Sequence, residues 1–228
     1  MTNALVQLPL ARLVRTPRAW MPIAGWIALA VVAAILTRQS ESAHGADHVL
    51  LGAYGALALP LFVYGIVAAT LGGDGLARAC TALVAFGASP ARVALASIGV
   101  AVVTSAILGA LLAVAVAGCA HGASDPPLVR DLATSAWIGA LGAAAYAAYF
   151  SFGASFGARG GGRSVALILD WIFGAGGGVT ALLFPRAHLR NLLGGTATLD
   201  MSQRGAVVAL LLTTIWFTLM AMGRAVRR

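Results

Sequence analysis

RVALASIGVAVVTSAILGALLAVAVA, residues 92–117, is the stretch that decides the fold. After its opening arginine it carries no charge, and it is longer than the about 20 apolar residues an α-helix needs to cross a hydrocarbon core. The same ruler, laid outward from it, marks five more segments at 20–37, 49–71, 132–157, 164–184 and 205–222. The chain is 60% hydrophobic and only 10% charged, with a mean hydropathy of +0.91. Soluble domains carry about 25% charged residues, so part of the solvent must be lipid. The expectation is an all-α, polytopic bundle of six transmembrane helices forming one domain over residues 1–228.

The fifteen basic residues are all arginine, against seven acidic ones. Most stand beside apolar runs, which is the placement of membrane anchors rather than of a nucleic-acid surface. With the N-terminus inside, Arg12, Arg15, Arg18, Arg78, Arg92, Arg159, Arg163, Arg224, Arg227 and Arg228 face the cytoplasm. Arg38, Arg130, Arg186, Arg190 and Arg204 face out. The positive-inside rule therefore puts both termini in the cytoplasm of a bacterial inner membrane, in a multi-pass arrangement. Arg12, Arg15 and Arg18 ahead of the first apolar run resemble a signal peptide's charged region. The length of segment 20–37 argues for a retained first helix.

Small residues should carry helix association, because lipid supplies no hydrophobic drive between helices. In the fourth segment Ala136, Ala140, Ala144 and Ala148 recur every fourth residue beside Gly139, Ala143 and Ala147. In the fifth, Gly174 and Gly178 form a small-xxx-small pair. The sequence does not name the partner helices. Cys80 and Cys119 fall at opposite membrane faces, too far apart to bridge, and read as small apolar residues.

Between the second and third segments the spacing predicts a short helix over 76–87, with Asp74 placed to cap its start and Gly87 its end. Leu76, Cys80, Leu83, Val84 and Gly87 fall on one apolar stripe, with Arg78 and Thr81 turned away. Ser89 and Pro90 then restart a helix. This connection, and LVAFGASPARV at 83–93 in particular, resembles that of the six-helix permeases of type 2 ATP-binding cassette exporters: an apolar helix end, a turn with Ser and Pro, and an arginine entering the third span.

The resemblance implies that Leu76, Arg78, Leu83, Val84 and Phe86 form a coupling helix that docks on an ATPase subunit. It implies a second permease copy or paralogue beside this one, and export as the direction of transport. The chain would bind no cofactor, with ATP and Mg held by the partner ATPase. A P-loop is impossible here, because the sequence has no lysine.

Two more segments agree with that resemblance. Val6, Leu10, Leu13 and Val14, with Arg12 and Arg15, suit an N-terminal helix lying in the interface, although Pro9 interrupts it and a plain charged leader is the other reading. Pro185 opens and Gly194-Gly195 closes a helix over 185–194, too short to cross and expected at the outer surface. In similar permeases an element here caps the path, which makes His188, Arg190 and Asn191 outer-gate candidates. An ordinary amphipathic loop helix stays equally open.

Asp170 is the acidic residue lying well inside a predicted span. A carboxylate there costs roughly 3 kcal/mol, so it needs a partner, and Arg163 or Arg159 stands nearest in sequence. His44, His48, His121 and His188 fall in outer loops without metal-ligand spacing. The tripeptide Gly153-Ala154-Ser155 offers the G-x-S of a six-helix intramembrane serine protease, but a serine needs a base within reach, and no histidine lies in a predicted span. A membrane scaffold without a transport path is the remaining alternative.

Overall fold

Pro17 sets the start of the first long helix as an N1 proline does, by fixing φ where no intrahelical N–H is needed. The computed structural model describes residues 2–40, 45–72, 75–122, 127–157 and 159–227. All regular structure among them is helical. An N-terminal helix α1 (Thr2–Arg15) leads into α2 (Pro17–Gln39). A continuous rod follows, made of α3 (Gly45–Val49), a π-helical stretch (Leu50–Ala58) and α4 (Leu59–Leu71). Then come the short α5 (Leu76–Ala85), the long α6 (Pro90–Ala120) and α7 (Leu128–Gly153), α8 (Gly162–Phe173), α9 (Pro185–Leu192) and α10 (Gln203–Val226).

Among the described residues four helical stretches are long and apolar enough to cross a membrane: Trp20–Gln39, the rod that begins at Gly45, Pro90–Ala120 and Gln203–Val226. At 26 residues α7 is also long enough, but its glycines, tyrosines, serines and tryptophan lower its hydropathy. The expected fifth crossing over 164–184 is not one helix. Its α-helical part, α8, has 12 residues, or about 18 Å at 1.5 Å per residue, short of the about 30 Å hydrocarbon core. The run Gly174-Ala-Gly-Gly-Gly178 ends it, because glycine loses the most backbone entropy on entering a helix. Gly174 and Gly178 are thus part of a break and do not form a packing pair within a helix.

The core seam lies between α6 and α7. A Cβ at Gly139 would sit 2.6 Å from Tyr54 Oη and 2.7 Å from Ala113 Cβ, and one at Gly109 would sit 2.5 Å from Ala143 Cβ. The fourth-segment alanines therefore do pack, with α6 as partner. The row in contact is Gly139, Ala143 and Ala147, all buried, whereas Ala136, Ala140 and Ala144 are only partly covered. Tyr54 crosses above this seam and donates to the Gly109 carbonyl at 3.1 Å.

The π-helical turn has a local cause. Pro60 brings no N–H to the helix, and the Leu59 N–H reaches back five residues to the Tyr54 carbonyl. The widened stretch makes room for α9. A Cβ at Gly55 would lie 2.7 Å from Leu193 Cδ1 at the end of that helix.

Helix α9 runs Pro185–Leu192 and is followed by Gly194 at φ +83°, the proline start and glycine stop that the sequence announces. It packs against α7 rather than standing off the bundle. A Cβ at Gly142, midway along α7, would meet Leu189 Cδ1 at 2.8 Å, so α9 packs beside the middle of the bundle. It fills the space that the short α8 leaves, and six of its eight residues are buried.

Candidate functional site

At one end of the bundle α5 stands on a fixed base. Asp74, expected as its cap, lies outside the described residues. Gly75 opens the helix where no side chain fits, since a Cβ there would be 2.8 Å from the Ala154 carbonyl oxygen. The Leu76 N–H donates to that same oxygen at 2.9 Å, which ties α5 to the end of α7. From the other side Arg12 of α1 donates Nη1 to the Ala79 carbonyl at 3.2 Å. Trp20 Nε1 in turn donates to the Leu13 carbonyl at 2.9 Å, and Leu13 is buried.

The stripe read from spacing is the buried face. Leu76 and Cys80 are covered, Leu83 and Val84 partly so, and Arg78 and Thr81 are exposed. Gly87 closes the helix at φ +86°, with its N–H on the Val84 carbonyl and that of Ala88 on Leu83. This is the left-handed ending that glycine takes most readily. Ser89 and Pro90 start α6 as expected.

Of the five residues that the resemblance assigned to docking, Leu76 is fully buried and holds the helix down. Phe86 is 80% exposed at its tip. Beside Phe86 a cavity of about 500 Å³ runs between the start of α1 and the start of α6, lined by Leu5, Leu83, Phe86, Ser89 and Arg92. A capped helix that presents an aromatic ring beside a cavity is chemically suited to receive a protein partner.

A second polar cluster lies inside the bundle. Asp170 is fully buried on α8. Tyr146 Oη of α7 donates to Oδ2 at 2.9 Å, and the Arg186 backbone N–H of α9 donates to Oδ1 at 3.2 Å. The partners expected from the sequence, Arg163 and Arg159, are not the ones used. Arg163 stands seven residues earlier on the same helix, about 10 Å away at 1.5 Å per residue, and its guanidinium lies over the Tyr64 ring at 5.8 Å from the centroid.

Sequence reasoning misses the tyrosines. All four join helices through their hydroxyls: Tyr54 and Tyr146 as above, Tyr64 with Ser164 Oγ at 2.9 Å, and Tyr149 to the Ala166 carbonyl at 2.8 Å. The signal is present, since a phenol inside an apolar span must find a partner.

The three gate candidates on α9 all bind backbone of the connections around them. His188 Nε2 pairs with the Leu182 carbonyl at 2.9 Å, and Asn191 Nδ2 donates to the Met201 carbonyl at 2.7 Å. Arg190 reaches the carbonyls of Ala175, Gly176 and Thr196 and holds the glycine run in place. Ser155 follows α7 and donates its hydroxyl to the Phe152 carbonyl at 2.6 Å. His121 Nδ1 lies 3.5 Å from Asp131 Oδ2, a pairing that the spacing of the histidines does not reveal. His44 lies outside the described residues. Cys80 and Cys119 are free thiols.

Helices of this length and apolarity, gathered into one bundle with no strand among the described residues, define an all-helical membrane protein. No known family model matches the chain, and no curated protein or solved structure is similar to it.

Proposed function

We propose that the chain is the membrane-spanning permease subunit of an ATP-binding cassette exporter, with ATP hydrolysed by a separate subunit. It crosses a bacterial inner membrane six times with both termini in the cytoplasm. The fifth crossing is made jointly by α8 and the connection through α9. The observation that carries the reading is α5: a capped helix fastened to α1 and α7, with Phe86 at its tip 80% exposed beside a cavity whose walls include Leu5, Leu83 and Arg92.

Such a helix is suited to transmit force because its base is fastened at two points. Leu76 is bonded to the end of α7 and Arg12 of α1 bonds to Ala79, two attachments through which a displacement at Phe86 would reach the bundle. Coupling then requires that the two nucleotide states of the ATPase bind two permease states with different free energy. The unwound glycine run, the half-length α8 and the buried Asp170 cluster supply non-helical backbone and polar groups within the bundle. Such features are found in membrane proteins where protein or a water-lined cavity surrounds them.

The deciding experiment is purification of the tagged chain in mild detergent from its native cells. An ATPase with Walker motifs should accompany it, and Phe86→Glu should release that ATPase while leaving the chain folded. Reproducible recovery of the chain without any ATPase would favour the scaffold reading instead.

A further inference from the structure

We propose that the groove between α7, α8 and α10 binds one anionic phospholipid, its acyl chain between the helices and its phosphate on Arg224 and Arg227. The groove has a volume of about 420 Å³ and an almost wholly apolar lining, with Tyr149, Phe152 and Phe156 from α7 and its turn, Val165 and Leu169 from α8, and Phe217 from α10. That volume falls among ligand pockets of about 300–1,000 Å³. A hydrocarbon chain is the chemistry that such a lining accepts.

The charge at the end of the groove selects the headgroup. Phe156 is a wall of the groove, and the Arg224 guanidinium lies on its ring, 3.9 Å from the centroid. Stacking on an aromatic face leaves the edge of the guanidinium plane to donate, in the fork that suits phosphate oxygens. Its Nε is buried and has no hydrogen-bond partner among the described residues. A buried guanidinium donor in that state calls for an acceptor.

A second cavity of about 210 Å³ is lined by Leu219, Met220, Gly223, Arg224 and Arg227. Phe217, Met220, Arg224 and Arg227 stand at i, i+3, i+7 and i+10, one side of α10. Arg224 is thus about 10 Å along the helix from Phe217 at 1.5 Å per residue. Chain and phosphate are placed in the order in which a lipid presents them, apolar groove first and cations at the helix end. A zwitterionic lipid offers the same phosphate but brings a quaternary ammonium beside Arg224 and Arg227, so a pair of arginines favours the headgroup with net negative charge. The site needs only a bilayer, so it stands apart from the permease reading.

The test is native mass spectrometry of the full chain, purified in mild detergent and exposed to equal amounts of dioleoyl phosphatidylglycerol and dioleoyl phosphatidylcholine. The wild type should retain the anionic lipid at least fivefold over the zwitterionic one. Arg224→Gln combined with Arg227→Gln should bring that ratio near one. Val165→Trp, placed at the half-exposed mouth of the groove, should lower retention of both lipids without touching a charge. Equal retention by the wild type, or an unchanged ratio in the double variant, would overturn the proposal. Should the double variant fail to fold, undiminished lipid retention by Val165→Trp would overturn it as well.

Discussion

Tyr146 and Asp170, both fully buried, are joined by a 2.9 Å hydrogen bond from the phenol of α7 to the carboxylate of α8. With the Arg186 N–H on the other carboxylate oxygen, this one side chain ties three helices together. Tyr146→Phe removes one donor and should destabilise the fold by about 1–3 kcal/mol. Asp170→Ala orphans both the phenol and the N–H and should cost more, with Asp170→Asn between them. Thermal unfolding in detergent reads the order, and a wild-type midpoint for Asp170→Ala would show that the cluster does not hold these helices.

The seam of α6 and α7 separates two glycine substitutions of identical chemistry. Gly139→Ala places a methyl 2.7 Å from Ala113 Cβ and 2.6 Å from Tyr54 Oη, and such overpacking should destabilise by about 1–3 kcal/mol. Gly25→Ala in α2 meets nothing within 4 Å and should stabilise by about 0.5–1 kcal/mol through backbone entropy. Opposite shifts in unfolding midpoint are expected. Equal shifts would contradict the close approach of the two helices.

Gly87 should resist β-branched residues. At φ +86° a side chain costs about 1–2 kcal/mol, and the neighbouring helix end is partly exposed. Gly87→Val should therefore open the 83–90 turn locally. Limited proteolysis should cut there first, at a midpoint of unfolding close to that of the wild type.

Under the permease reading, Arg78→Glu with Leu83→Glu should separate ATP hydrolysis from transport. Arg78 is exposed in the first turn of α5 and Leu83 is half-covered in its last, so one change reverses charge and the other disrupts the surface beside Phe86. Transport in reconstituted vesicles should fall at least tenfold while hydrolysis persists. Unaltered transport would count against docking through this helix.

Arg190 bonds to three carbonyls, two of them in the glycine run. Bonds from a charged donor contribute about 1.5–3 kcal/mol each, so Arg190→Gln should raise amide exchange over residues 175–178 at least tenfold. Exchange in α6 should be unchanged. An unaffected glycine run would mean that its conformation is held by backbone turns alone.

Several features of this chain are legible in its sequence alone. The apolar run at 92–117 lies within the helix Pro90–Ala120, and Ser89-Pro90, Gly87, Pro185 and Gly194 mark helix ends where the structure has them. These signals work because they are local: span length, a fixed φ and an absent Cβ act on the chain whatever surrounds it. The stripe of α5 is readable for the same reason, since spacing alone sets which side chains share a face.

Only the tertiary structure decided what required two distant segments to meet. The glycines at 174–178 read as a packing pair within a span, whereas in the structure they end α8 and α9 packs beside Gly142. Asp170 has arginines near it in sequence, but α8 holds Arg163 two turns away and Arg159 precedes that helix, while the fold brings Tyr146 and the Arg186 N–H onto the carboxylate. The tyrosines and the stacking of Arg224 on Phe156 were hidden likewise. Hydrogen bonds and ring contacts between helices depend on rotation and depth, and a sequence of mostly small apolar residues leaves both unspecified until the helices are packed.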